Sequence, residues 1–143
     1  MATITSANSV LTLAITNLYT TPQTIQGWSA DDAFTVDAVE TGETVMGIDG
    51  NLSGGFIFNP VNQTITIMPD SPSLSIFETW VSAEAIAREK YTANAAISLP
   101  AISRKYTLTK GFLISHKSFS DVKKTLQPMP FVIRWQSVIG APY

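Results

Sequence analysis

Apolar and polar side chains alternate with a period of two along most of this chain, which is the signature of half-buried strands. Ser9–Asn17 sets Leu11, Leu13 and Ile15 against Val10, Thr12, Ala14 and Thr16, and Thr20-Thr21-Pro22 is expected to end that strand. A short second strand is expected over Gln23–Trp28, followed by a turn at Ser29-Ala30-Asp31-Asp32. Ala33–Glu40 places Phe34, Val36 and Ala38 on one face and Thr35 and Asp37 on the other. Glu43–Ile48 is expected to pair with it across Thr41-Gly42, and Ser53–Asn59 follows Asp49-Gly50, a strong hairpin dipeptide. Val61–Met68 then closes a four-run meander, with Ile65 and Ile67 opposite Thr64, Thr66 and Met68.

The period changes after Pro69. Asp70 or Ser71 can cap a helix whose first turn holds Pro72, because proline's missing N–H has no helical partner there anyway. Leu74, Phe77, Trp80 and Val81 fall at helical spacing, and Ala83–Lys90 can continue the helix. Phe77 and Trp80 read as core anchors rather than as a ligand platform. Ala95–Ser103 is extended, and Pro100 inside it points to an edge strand or a bulge. Lys105–Ser115 alternates again, Lys117–Lys124 is a polar connector, and Pro128–Val138 sets Phe131, Ile133 and Trp135 on one side. Gly140–Tyr143 is expected to be a loose tail. Nothing interrupts the series, so one mainly β domain over residues 1–143 is expected, with Phe34, Phe77, Trp80, Phe131 and Trp135 anchoring its core.

Charge sharpens this picture. Only 14% of residues are charged against 45% apolar, where an ordinary domain has about 25% charged. That deficit suits a chain that hides surface in an assembly. The first 87 residues hold nine acids and no base, and the remainder hold all nine bases against Glu89 and Asp121. Two halves of one domain could neutralise each other. Alternatively, opposite faces meet between copies, since complementary potentials set the register of association, and head-to-tail contacts close into rings or run on as filaments.

Candidate chemistry is sparse. The chain has no cysteine, which excludes disulfides and thiolate metal sites. His116 is the sole histidine, and Asp121 with Ser118 or Ser120 lie near it only in a polar stretch, so it reads as a surface residue. The paired acids Asp31-Asp32, or Asp37 with Glu40, lack the spacing of a calcium loop. Gly47-Ile48-Asp49-Gly50 precedes strands and no Gly-Lys-Ser/Thr, so it is not a phosphate cradle. The basic pairs Arg104-Lys105 and Lys123-Lys124 lack aromatic neighbours beyond Tyr106, which disfavours specific nucleic-acid recognition. No catalytic set, metal site or cofactor is expected. There is no charged leader and no run of about 18 apolar residues, so a soluble protein made in a cytoplasm, without membrane binding, is expected.

One stretch resembles a known family. An acidic strand, then ETVMGIDGNLSGGF, a TITIMP strand and a Ser-Pro helix start look like the tail tube proteins of contractile-tailed bacteriophages. The matching residues are Gly47, Asp49, Gly50, Ser53, Gly54, Gly55, Ile65, Ile67, Ser71 and Pro72, and the resemblance covers Phe34–Trp80. It implies a β-sandwich or half-barrel of antiparallel strands with one flanking α-helix. It also implies six copies in a ring, each adding strands to an inner barrel, with rings stacked into a tube that DNA passes through without specific binding. Sheath, tape-measure and baseplate proteins are the implied partners, and the virion is the implied location after assembly in the host cytoplasm.

On this reading Asp37, Glu40, Glu43 and Asp49 are lumen or ring-contact acids, and Lys105, Lys123 and Lys124 are their counterparts in a neighbouring copy. Three rivals stay open. One is a tail-terminator or baseplate ring that makes a single ring and stops. Another is a β-sandwich binding carbohydrate or a small ligand through Trp28, Trp80 or Trp135. The third is an enzyme using paired Asp/Glu residues.

Overall fold

A computed structural model describes residues 9–25, 34–119 and 121–142. The elements run β1 (Val10–Ile15), β2 (Tyr19–Thr24), β3 (Phe34–Val36), β4 (Gly42–Met46), β5 (Leu52–Phe56), β6 (Val61–Ile67), α1 (Leu74–Ala87), β7 (Ala93–Leu99), β8 (Arg104–His116) and β9 (Met129–Pro142). Seven strands form one antiparallel sheet in the order β2-β1-β7-β8-β9-β6-β3, and β4 and β5 form a sheet of their own. The fold is mainly β with one flanking helix, and the large sheet stays open as a half-barrel.

Period two decides which face is covered. Leu11, Leu13 and Ile15 of β1 lie level with Ile97, Ala95 and Ala93 of β7, and all six are buried. Leu108 and Leu113 of β8, Phe131 and Ile133 of β9, and Ile65 and Ile67 of β6 continue the same layer. The helix lays Ile76, Phe77 and Trp80 onto it, and Phe77 stacks on Phe131 with ring centroids 4.5 Å apart. Phe34 packs on this cluster half-buried, while Phe77, Trp80, Phe131 and Trp135 are buried completely. Gln63 shares the layer because its Oε1 accepts a 2.9 Å hydrogen bond from the Trp135 indole, so that buried N–H keeps a partner.

The helix begins later than its sequence suggests. Ser73 is the N-cap and Pro72 precedes the helix, while Ser71 Oγ accepts the Ser73 N–H at 3.1 Å. It ends where Arg88 turns left-handed (φ 57) and donates its N–H to the Glu84 carbonyl. The Glu84 side chain is buried there. It accepts from Lys90 Nζ at 3.2 Å and from the Tyr91 N–H at 2.9 Å, and Lys90 also reaches the Leu113 carbonyl at 2.7 Å. One carboxylate thus ties the helix end to the entry of β7 and to β8. Glu84→Ala is expected to cost about 2 kcal/mol in urea denaturation, with Glu84→Gln recovering roughly half because one acceptor remains. Equal, negligible losses in both variants would show that the tie does not hold the helix.

Four expectations change. First, β2 runs Tyr19–Thr24 with Pro22 inside it, because the turn is made earlier at Asn17 (φ 66) and an outermost strand tolerates a missing N–H; the expected residues 26–28, Trp28 among them, lie outside the described ones. Second, β3 pairs with β6 rather than β4, so the meander is broken: Gly42 opens β4 instead of turning the chain. Third, β7 is interior, and Pro100 lies just beyond it at the start of a single 3-10 turn, Pro100–Ile102, where no N–H is required. Fourth, the expected loose tail is strand: Gly140 and Pro142 pair with Tyr106 and Arg104.

Candidate assembly surfaces

The β4–β5 hairpin is the most exposed element of the fold. Every residue from 37 to 56 is exposed to solvent. Its turn is self-sufficient: Gly50 takes φ 88, the Gly47 N–H reaches the Asn51 carbonyl at 2.8 Å, and the Asp49 carboxylate accepts from both the backbone and side-chain nitrogens of Asn51. The register puts Met46 opposite Leu52 and Gly42 opposite Phe56. Phe58 follows two residues on, and the two phenyl rings meet edge-to-face at 4.9 Å. One side of the hairpin is therefore an apolar strip of Met46, Leu52, Phe56 and Phe58, with Phe58 91% and Phe56 69% exposed. The other side carries Glu43, Val45 and Ser53. A lone two-stranded hairpin is marginal in water and normally needs a third strand or a packed face.

The acids predicted for contacts gather around this arm. Asp37 leaves β3 with its N–H on the Asn62 carbonyl at 3.0 Å. Glu40 lies in the stalk, where its carbonyl accepts from Asn59. Glu43 stands on β4 and Asp49 at the tip. None of the four forms an ion pair among the described residues, whose ion pairs are Glu84–Lys90 and Lys117–Asp121. Among the described residues the acidic arm therefore has no cation paired with it.

The basic candidates fall in two places. Lys123 and Lys124 are exposed in the link between β8 and β9, which folds on itself through a Val122–Leu126 bridge and a 2.6 Å Lys117–Asp121 contact. The Lys117 hydrogen bond holds the Asp121 carboxyl below the usual carboxylate range. Lys105 stands instead on the uncovered face of the large sheet. No short contact joins these lysines to the acidic arm.

The rival chemistries find little support. Trp80 and Trp135 are fully buried and cannot stack on a sugar, and Trp28 lies outside the described residues. His116 ends β8, exposed, in a shallow groove between α1 and β8 with Val81 and Ile114. No cluster of three or more metal-ligating side chains occurs among the described residues, and no helix there is long and apolar enough to cross a membrane.

The sequence pattern places Ser53–Asn59 as one run of the meander and does not show the apolar strip. The available signal was Gly54-Gly55, since adjacent glycines weaken a strand that must pack.

Comparison with known proteins agrees with this architecture. No curated protein matches the chain by sequence. A chain in the cryo-EM structure of the tube-terminating cap of the anti-feeding prophage superposes with a TM-score of 0.59 at 14% identity, covering 100% of this chain and 93% of that one. A chain of the baseplate of the same particle, solved with 6-fold symmetry, gives 0.54 at 14% identity over 99% and 98%. A chain of the PVC sheath–tube complex of an extracellular contractile injection system gives 0.53 at 15% identity over 93% and 88%. At these identities the likeness is one of fold. Residues 2–139 match the family described as tail fiber protein gp32. The chain belongs to that family, and its role is that of a structural component of a tail.

Proposed function

We propose that this chain is the tail tube subunit: a non-enzymatic protein that assembles into stacked hexameric rings enclosing the channel for DNA delivery. The observation that carries the reading is the β4–β5 arm, an apolar and acidic projection that its own chain leaves uncovered. A second copy supplies what the arm lacks, namely an apolar seat and cations. Asp37, Glu40, Glu43 and Asp49 are assigned to contacts between copies, with Lys123 and Lys124 as the opposing charges. The sheath outside, the tape-measure protein inside and the baseplate below are the further partners, and the chain resides in the virion after assembly in the host cytoplasm.

Electron microscopy of the purified protein tests the reading. Open-ended hollow tubes of regular diameter are expected; solid fibres would favour the literal family description. A specific observation keeps a second reading, a ring that stops after one layer: two of the solved likenesses are chains of a tube-terminating cap and of a baseplate. Single rings without tubes would select it.

Lys123→Glu with Lys124→Glu is expected to lower tube yield several-fold at physiological salt and to leave monomer stability unchanged. Exposed ion pairs contribute only about 0–1 kcal/mol each, so repetition around the ring supplies the effect. Wild-type yield from the double variant would remove these lysines from the interface.

A further inference from the structure

The uncovered face of the large sheet has a charge opposite to that of the arm. Antiparallel partners share a face, so the register places Lys105 of β8 beside Ser98 of β7, and Thr107 beside Ala96. Phe112 lies beside Arg134 of β9, and Arg134 beside Asn62 of β6. Lys110 joins the same face at a bulge. Its backbone is left-handed (φ 50), its N–H is held by Asn94 Oδ1 at 3.1 Å, and it lines one shallow depression with Phe112 and Arg134. Lys105, Lys110 and Arg134 are all exposed. Arg134 is already oriented, because its Nε donates to Asn62 Oδ1 at 2.9 Å. The strands of this face bring no acid among the described residues; Asp37 follows β3 at its margin, level with Asn62.

We infer that this face contacts the phosphate backbone of duplex nucleic acid without reading its sequence. Lys105 and Arg134 lie seven strand positions apart, roughly 20 Å, a length that matches about six phosphates of one strand. The rows between them carry the hydroxyls of Thr107 and Thr109, side chains that donate to phosphate oxygens and carry no base readout, with Ile139 exposed beside Thr107. A protein partner would need clustered apolar anchors; this face exposes the scattered Val10, Ile114 and Ile139, whereas the arm groups Met46, Leu52, Phe56 and Phe58.

The inference deepens the tube reading and rests on it for the presence of DNA. With this face turned to the channel, the wall is a weakly attractive, hydroxylated surface, and the acids serve contacts between copies. Weak, salt-screened attraction holds DNA in line while leaving it free to slide.

The test is fluorescence anisotropy of a labelled short duplex against the purified protein over a salt series. Binding at low salt is expected, with a log–log slope of about −2 to −3 for three phosphate contacts. Lys105→Glu, Lys110→Asn and Arg134→Glu combined are expected to weaken it at least tenfold and flatten the slope. Asparagine tolerates the left-handed backbone at position 110. If the charge reversals impair folding, Lys105→Thr with Arg134→Gln gives the same reading by neutralisation. Lys123→Glu with Lys124→Glu, which also reverses two cations but lies off this face, is the control.

Absence of binding at low salt overturns the inference, as does an equal loss in the control. Stronger competition by poly-glutamate than by unlabelled duplex of equal charge also overturns it, assigning the face to an acidic polypeptide. Electron microscopy of the same preparations keeps the two readings separable. Tubes without duplex binding refute this inference alone, and duplex binding without tubes refutes only the tube.

Discussion

Gly111→Ala is expected to destabilise the protein by about 3 kcal/mol, lowering its Tm by roughly 10 °C. A Cβ at position 111 would lie 2.4 Å from Trp135 Cε3 and 2.9 Å from Ile133 Cγ2. Neither neighbour can yield. Trp135 and Ile133 are both fully buried, and the indole is pinned by its hydrogen bond to Gln63. Gly111 also follows the Lys110 bulge, so its backbone cannot slide along the strand without breaking the Asn94 contact. Gly55→Ala supplies the control: a Cβ there meets nothing within 4 Å, its φ is ordinary, and a change within about 0.5 kcal/mol is expected. Thermal melts of the two variants decide the matter. A Gly111→Ala protein as stable as Gly55→Ala would mean that the β8–β9 pair is loosely packed, contrary to the geometry.

The covered face was legible in the sequence because alternation needs no knowledge of partners. Leu11, Leu13 and Ile15, or Phe131, Ile133 and Trp135, declare their face whichever strand lies beside them. Partner choice was not legible. Thr41-Gly42 and Asp49-Gly50 both look like turns, yet only Gly50 takes the left-handed backbone that a tight hairpin requires, and Gly42 extends into β4. Local chemistry therefore proposed a meander, whereas β3 gains more by completing the large sheet beside β6. Glu84 escaped notice for a related reason: its partners, Lys90 and the Tyr91 N–H, come together only once the helix has ended at Arg88. The charge division between the two halves was plain from composition. Its meaning depended on the sheet register, which separates Lys105 and Arg134 from Glu43 and Asp49 of the arm.

Replacing Met46, Leu52 and Phe56 together by threonine is expected to raise the critical concentration for assembly about a hundredfold while leaving the monomer as stable as before. Threonine keeps the β preference of the arm, and the three side chains touch none of the buried core, being 63%, 63% and 69% exposed. Monomer stability should therefore move by no more than about 0.5 kcal/mol. In an assembly the same side chains lose their water. Even two of them, each worth about 1.5 kcal/mol when buried, give roughly 3 kcal/mol per contact, which raises the critical concentration about a hundredfold. Sedimentation across a concentration series measures that shift, and urea denaturation of the dissociated protein measures the monomer. Should the variant assemble at the wild-type critical concentration, the apolar strip is not an interface and the tube reading loses its main support. If the variant monomer were instead destabilised by several kcal/mol, the arm would have to pack against its own chain in solution. The distinction is sharp because core and interface place opposite demands on the same substitutions: a core residue costs stability in the monomer, and an interface residue costs it only when a second copy is present.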